Sequence, residues 1–289
     1  MNFWKQFGIL VLLVGIGFVI LGTFTVALKA FGMSLVSTES LHIAQWLQTF
    51  CIMIGAPLAW AWWFYGRKSR PMSSPWRAVC DALWFRPASV RHIALSAILM
   101  VAILPFADFL EVTCTRMPMP DALRDYCHAG YVANQRLMEV ILLPTGLLGW
   151  TELVLLMCVF TAIGEELMFR GALLGCFVRG GDVRWHAAAW IVGLIFSLAH
   201  FEPMGFVPRW LLGTLFAYMV CWSGSLWPGV LAHCINNLVA LVSYKMASPE
   251  EMLSPVKEYS FGPVLTVCSF VVSALLLWQF WRSRQSKTA

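Results

Sequence analysis

Runs of about twenty apolar residues recur along the chain. That is the length a helix needs to cross the ~30 Å hydrocarbon core of a bilayer. Eight such runs are read, at 8–28, 43–65, 93–110, 149–178, 185–200, 210–222, 226–243 and 261–281. The three between 185 and 243 are short, which fits helices that begin below the interface around a site and miscounted ends equally. Charged residues make up 12% of the chain, half of the ~25% typical of a soluble domain. The expected fold is all-α: a polytopic membrane protein of about eight transmembrane helices around a buried polar site. The first run is too long for the ~7–15-residue apolar core of a cleaved signal, so it is expected to stay as a helix.

Orientation follows from Lys and Arg, which collect on the cytoplasmic side. With the N-terminus inside, the inner segments hold Lys5, Arg67, Lys68, Arg70, Arg77, Arg86, Arg91, Arg179, Arg184, Arg282, Arg284 and Lys287. The outer segments hold the shorter set Lys29, Arg116, Arg124, Arg136, Arg209, Lys245 and Lys257. Both termini are therefore expected in the cytoplasm, and the compact chain favours a bacterial cytoplasmic membrane. The net charge of +5 is explained by these flanking residues, so no nucleic-acid partner is expected. Of the 9 Cys, only Cys114 and Cys127 fall in the outer loop. A disulfide and two free thiols fit that placement equally. The polar stretch 111–143 reads as a partly helical cap, and "AWAWWFYG" and "CWSGSLW" read as interfacial belts.

Against this background the stretch "TAIGEELMFRG", 161–171, is costly. An ionised side chain at bilayer depth costs about 2.5–3.5 kcal/mol on insertion scales and by default marks a site. Glu166 and Arg170 are spaced i,i+4 and share a helix face, which fits an ion pair. Glu165 points about 100° away and is left for chemistry as a buried general base. His200 ends "FSLAH", and His233 and Asn237 lie one turn apart in "HCINN". Glu165 lies 13 residues before Val178, and His200 15 residues after Trp185. These separations correspond to about 20 Å and about 22 Å of helix rise, so the two groups reach the same depth on antiparallel neighbours.

Two chemistries fit. A carboxylate and an imidazole can activate a water while a second His and an Asn steady an oxyanion. Alternatively Glu165, His200 and His233 could hold zinc. Other intramembrane protease signals are absent: "AHFEP" is not HExxH, "WSGSLW" is not GxSxG, and Asp108 is the one Asp in a span. Taken singly, each group has a structural reading: a packing ion pair for Glu166 and Arg170, a helix-end His200, interhelical hydrogen bonding for His233 and Asn237. Four groups at compatible depth argue against that reading jointly. Glu152 and Asp108 read as interfacial, and His42, His92, His128 and His186 are given no role.

The order EExxxR, FxxxH, HxxxN resembles the CAAX prenyl protease and bacteriocin-processing family of intramembrane proteases. It is carried by Glu165-Glu166 with Arg170, Phe196 with His200, and His233 with Asn237, over about residues 150–245. The resemblance implies peptide-bond cleavage near the membrane. It implies Glu165 and His200 as water activators, His233 and Asn237 as oxyanion donors, and Glu166 and Arg170 as supports. A metal-free mechanism is preferred to zinc, because Asn is a poor zinc ligand and two adjacent Glu suit one base plus one support.

The expected organisation is N-terminal helices and outer loop over 1–148, a catalytic core over 149–245, and a final helix with a basic tail over 246–289. The expected substrate is a membrane-associated polypeptide reached from the bilayer, with no cofactor. The rival readings are a non-catalytic scaffold or immunity factor of the same fold and a proton-coupled transporter. The segment "FEPMGFVPRW", with Pro203, Gly205 and Pro208, is the candidate gate.

Overall fold

The computed structural model describes residues 2–69, 74–180 and 184–284. Arg70 and Lys287 of the orientation argument lie outside them. The chain is an all-α polytopic membrane protein. In chain order the helices are α1 (Phe3–Ala30), α2 (Thr38–Lys68), α3 (Pro75–Ala82), α4 (Val90–Thr115), α5 (Asp121–Ile141), α6 (Gly146–Arg179), α7 (Trp185–Leu198), α8 (Phe206–Ser223), α9 (Trp227–Met246), α10 (Pro249–Leu253) and α11 (Pro263–Arg282). No strand occurs among the described residues.

Five of these helices, α1, α2, α4, α6 and α11, are long and apolar enough to cross a membrane. The other three expected spans also fall on helices. The apolar helix α7 has only 14 residues. Arg209 in α8, and His233, Asn236 and Asn237 in α9, lower the hydropathy of their helices. The boundaries shift where turn chemistry intervenes. The fifth span stops at Leu198, so His200 sits in the turn beyond it.

The centre of the molecule is α6, flanked by α7 and α9. α9 packs on the first half of α6, and α7 packs on its second half. α7 and α8 lie along each other, and their crossing depends on Gly193. A side chain there would meet the backbone N of Thr214 at 2.7 Å and the Trp210 carbonyl at 2.9 Å. Close approach through small residues is how membrane helices associate, since lipid offers them no hydrophobic drive to pack. On one side, α1, α2 and α3 join a core built around Trp60, Phe64, Phe169 and Phe196. On the other, α4 and α11 pack on α8 and α9 around Leu99, Met100, Phe216 and Phe280.

Two irregularities have identifiable causes. Pro105 lies inside α4, where its ring disturbs the backbone ladder. Ser269 of α11 enters the loosened turn: its hydroxyl donates to the Ala102 carbonyl at 2.6 Å and accepts from the Phe106 N–H at 3.2 Å. The bilayer supplies no water to satisfy such groups, so a neighbouring hydroxyl must. In addition, α2 widens to π turns over Gln48–Gly55, and α6 does so over Val154–Phe160 and Leu167–Leu173. The last two bracket Glu165 and Glu166.

The polar stretch after α4 is more helical than a loop. α5 is amphipathic, and its buried Cys127 and Tyr131 pack on Met204 of the α7–α8 connection. Tyr131 also donates to the Met252 carbonyl at 3.2 Å. Cys114 and Cys127 are both free thiols.

Candidate active site

Glu166 and Arg170 share a face of α6 and form an ion pair, Nη1 to Oε1 at 2.8 Å, with both side chains fully buried. Arg170 uses Nη2 to donate to the Gly213 carbonyl of α8 at 2.7 Å. Its guanidinium faces the Phe196 ring at 4.5 Å and the Phe216 ring at 5.4 Å. Each aromatic face stabilises the cation without a counter-charge. One carboxylate, one carbonyl and two rings thus hold a charge that lipid alone could not.

His233 reaches this pair from α9. Its Nδ1 lies 3.0 Å from Glu166 Oε1, and its Nε2 lies 3.6 Å from Glu165 Oε2. The ring is stacked on Phe216, with centroids 5.2 Å apart, and edge-on to Phe196. The two acids are therefore not turned to unrelated surroundings, as their 100° separation on α6 suggested. An imidazole carries nitrogens on two edges, and it accepts one neighbouring carboxylate at each. With a proton on Nδ1 given to Glu166, Nε2 is the nitrogen presented to Glu165.

The other two expected groups make hydrogen bonds of their own. Asn237 is one turn beyond His233. Its Nδ2 donates to the Met157 carbonyl at 3.0 Å, and its Oδ1 accepts from Asn236 at 3.4 Å. Met157 lies in the first wide turn of α6. The widening redirects the ladder, as in the bond from the Thr161 hydroxyl to the Leu156 carbonyl at 2.7 Å. One N–H of the Asn237 amide is left over. His200 pairs Nδ1 with its own helix, the Phe196 carbonyl, at 2.7 Å. That bond fixes the tautomer and leaves Nε2 as an acceptor on the exposed rim. The structure puts His233, not His200, within ion-pair range of Glu165.

The connection carrying His200 is tied at several points. Glu202 pairs with Arg209 and accepts from the Gly205 N–H. Ser197 donates to the Phe206 carbonyl at 2.7 Å. Phe201, beside His200, has a left-handed backbone (φ 52) and is 92% exposed.

Several members of the site carry no ionisable group, and composition alone did not single them out. Phe196 touches Arg170, His200 and His233 together. A methyl group at Gly213 would stand 2.9 Å from the Phe196 ring, and one at Gly229 would stand 3.0 Å from Glu166 Oε2. The signal available was glycine inside an apolar helix, which marks close approach. Glu166 Oε2 and Arg170 Nε are buried with no protein partner.

Among the described residues no three His, Cys, Asp or Glu side chains converge as a metal site. Glu166 and the Phe196 carbonyl hold the Nδ1 atoms of His233 and His200, which leaves each Nε2 open.

Residues 147–239 match the family described as Rce1-like, type II CAAX prenyl endopeptidase. This segment, about a third of the chain, is similar to an Rce1-like domain. It includes Glu165, Glu166, Arg170, His200, His233 and Asn237, and also Phe196, Gly213, Phe216 and Gly229. The matched segment begins beside the start of α6 and ends within α9, so it takes in most of the helices that build the site. No curated protein and no solved structure was found to match the chain.

Proposed function

We propose that the chain is an intramembrane endopeptidase that hydrolyses a peptide bond in a membrane-associated protein or peptide, with its catalytic core over 149–245. The observation that carries this reading is His233 set between two carboxylates, one neutralised by Arg170 and the other, Glu165, left without a cation. Glu166 is spent on support. Glu165, with its side chain 15% exposed, is free to act as base.

In this reading Glu165 takes a proton from a water, and His200 Nε2 accepts the water's second hydrogen and orients it. The water oxygen attacks the scissile carbonyl carbon, and the carbonyl π pair moves to oxygen. The leftover N–H of Asn237 donates to that oxyanion. A preorganised donor of this kind is worth about 10²–10³ in rate. His233 Nε2 lies beside Glu165, where it relays the abstracted proton to the leaving nitrogen and steadies the charge that develops. The oxyanion pair then re-forms C=O, the C–N pair leaves on nitrogen with the relayed proton to give the amine, and His200 Nε2 takes the remaining hydroxyl proton to leave the carboxylate. Glu166, Arg170 and the Gly213 carbonyl hold His233 in register without touching the substrate. The roles require no cofactor.

The test uses purified full-length protein, the Glu165→Gln and His200→Ala variants, and a library of membrane peptides read by mass spectrometry. Cleavage by wild type alone, unchanged by a chelator, is expected. Equal cleavage by all three proteins removes the catalytic reading and favours a scaffold. Loss with chelator and rescue by zinc would place His200 and His233 in a metal shell instead.

A further inference from the structure

At the end of the molecule where α1 begins and α2 ends, a cleft of about 380 Å³ opens toward the lipid. Its walls are Ile9 and Leu13 of α1, Leu58, Trp62 and Trp63 of α2, and Trp76 of α3. Their surface is mainly hydrocarbon and ring face, so a peptide backbone would find few hydrogen-bond partners there, whereas a hydrocarbon chain needs none. Trp62, Trp63 and Trp76 remain 38%, 46% and 61% exposed. They are held in place rather than splayed: the Trp62 and Trp76 rings are 5.3 Å apart.

The rim of the cleft is cationic. Arg67 lies over the Trp63 ring at 4.0 Å, so its guanidinium is fixed at the cleft wall. Lys68 follows it, and Arg77 follows Trp76 on the short helix α3. Lys5 stands one turn before Ile9 on α1, on the face that lines the cleft. Among the described residues no carboxylate lines the cleft.

We infer that this cleft binds an anionic phospholipid, with one acyl chain along the tryptophans and its phosphate against Arg67, Lys68 and Arg77. Basic clusters at the end of a membrane helix attract anionic headgroups. Here the cluster is coupled to a preformed hydrocarbon slot that general surface attraction lacks. Indole rings suit this position, being apolar in body and polar at one edge. None of the lining residues belongs to the proposed catalytic set, and the binding is independent of any cleavage activity.

The experiment is native mass spectrometry of the delipidated full-length protein in detergent, titrated with phosphatidylglycerol, with phosphatidylcholine of the same chains, and with glycerol phosphate. Wild type is expected to retain phosphatidylglycerol at least roughly tenfold better than phosphatidylcholine, since each nearby cation contributes to anionic selectivity. The Arg67→Gln/Arg77→Gln variant should bind both lipids equally, and Trp76→Ala should weaken both. These positions are exposed, so folding should survive the changes. Equal retention by wild type, or an unchanged preference in the double variant, overturns the proposal. So does competition by glycerol phosphate, which would show a headgroup site without a chain site.

Discussion

At the residue scale, the arrangement around His233 separates support from chemistry. Glu166 anchors one edge of the ring, Phe216 stacks on its face, and Glu165 approaches the other edge. Removing one partner of a buried ion pair strands the other, at about 3–5 kcal/mol. Arg170→Ala should therefore lower the thermal unfolding midpoint sharply, as measured in detergent. Glu165→Gln should leave the midpoint within a degree or two and abolish cleavage. An equal loss of stability in both variants would contradict this division of labour. Gly229→Ala is expected to act through Glu166, because a methyl group would press on Oε2 from 3.0 Å. Cleavage should fall well before the fold does. The ionisable members of this cluster were legible in the sequence, since each is expensive in a bilayer. The rings and glycines around them were not, because an apolar residue in an apolar helix carries no local signal of its partner.

At the scale of the element, irregular helices do the positioning. The wide turns of α6 lie on both sides of the two acids, and π turns are often found at functional sites. The first lies against Asn237, which fills a backbone position that a regular helix would satisfy internally. Asn237→Leu and Asn237→Asp should each lose both this bond and the proposed oxyanion donor, because neither side chain carries the amide N–H that Asn237 donates to Met157. Both should lower turnover strongly and loosen α9 in hydrogen exchange. In α4, Ser269→Ala would leave the Ala102 carbonyl and the Phe106 N–H without their partner, a cost of about 1–3 kcal/mol for a buried group. The helices themselves were readable from runs of apolar residues. The π turns were not, because widening depends on the neighbouring helix that receives the displaced carbonyl. Glycine and hydroxyl positions encode that relation only across distant parts of the chain.

At the scale of the whole molecule, the connection before α11 is latched to α4. Lys257 pairs with Glu111, and its backbone N–H reaches Thr115 Oγ1 at 3.4 Å. Burial opposes the charge on Lys257, but the Glu111 carboxylate outweighs it and pushes the amine up to about 12. The sign follows directly. A raised lysine favours the fold at every pH below its unfolded value near ~10.5. That contribution disappears as pH rises through about 12. Proteolysis of the 247–262 connection should therefore accelerate over this alkaline window in wild type, and Lys257→Gln should be fast already at neutral pH. The polar stretch 111–143, read as a partly helical cap, holds the helix α5, which packs on the connection that bears His200. Its period was visible, but its contact with Met204 joins residues far apart in the chain.

One further consequence concerns α7. Fourteen residues rise about 21 Å, several ångströms short of a ~30 Å hydrocarbon layer. Hydrophobic mismatch of this kind is relieved by a thinner bilayer around the short element, at a fraction of a kcal/mol per Å. The dimple would bring bulk solvent down to His200, delivering the reactant that the proposed hydrolysis needs inside oil. Host membrane thickness then becomes a control on the proposed cleavage. Reconstitution in lipids of increasing chain length should slow cleavage progressively without altering the fold.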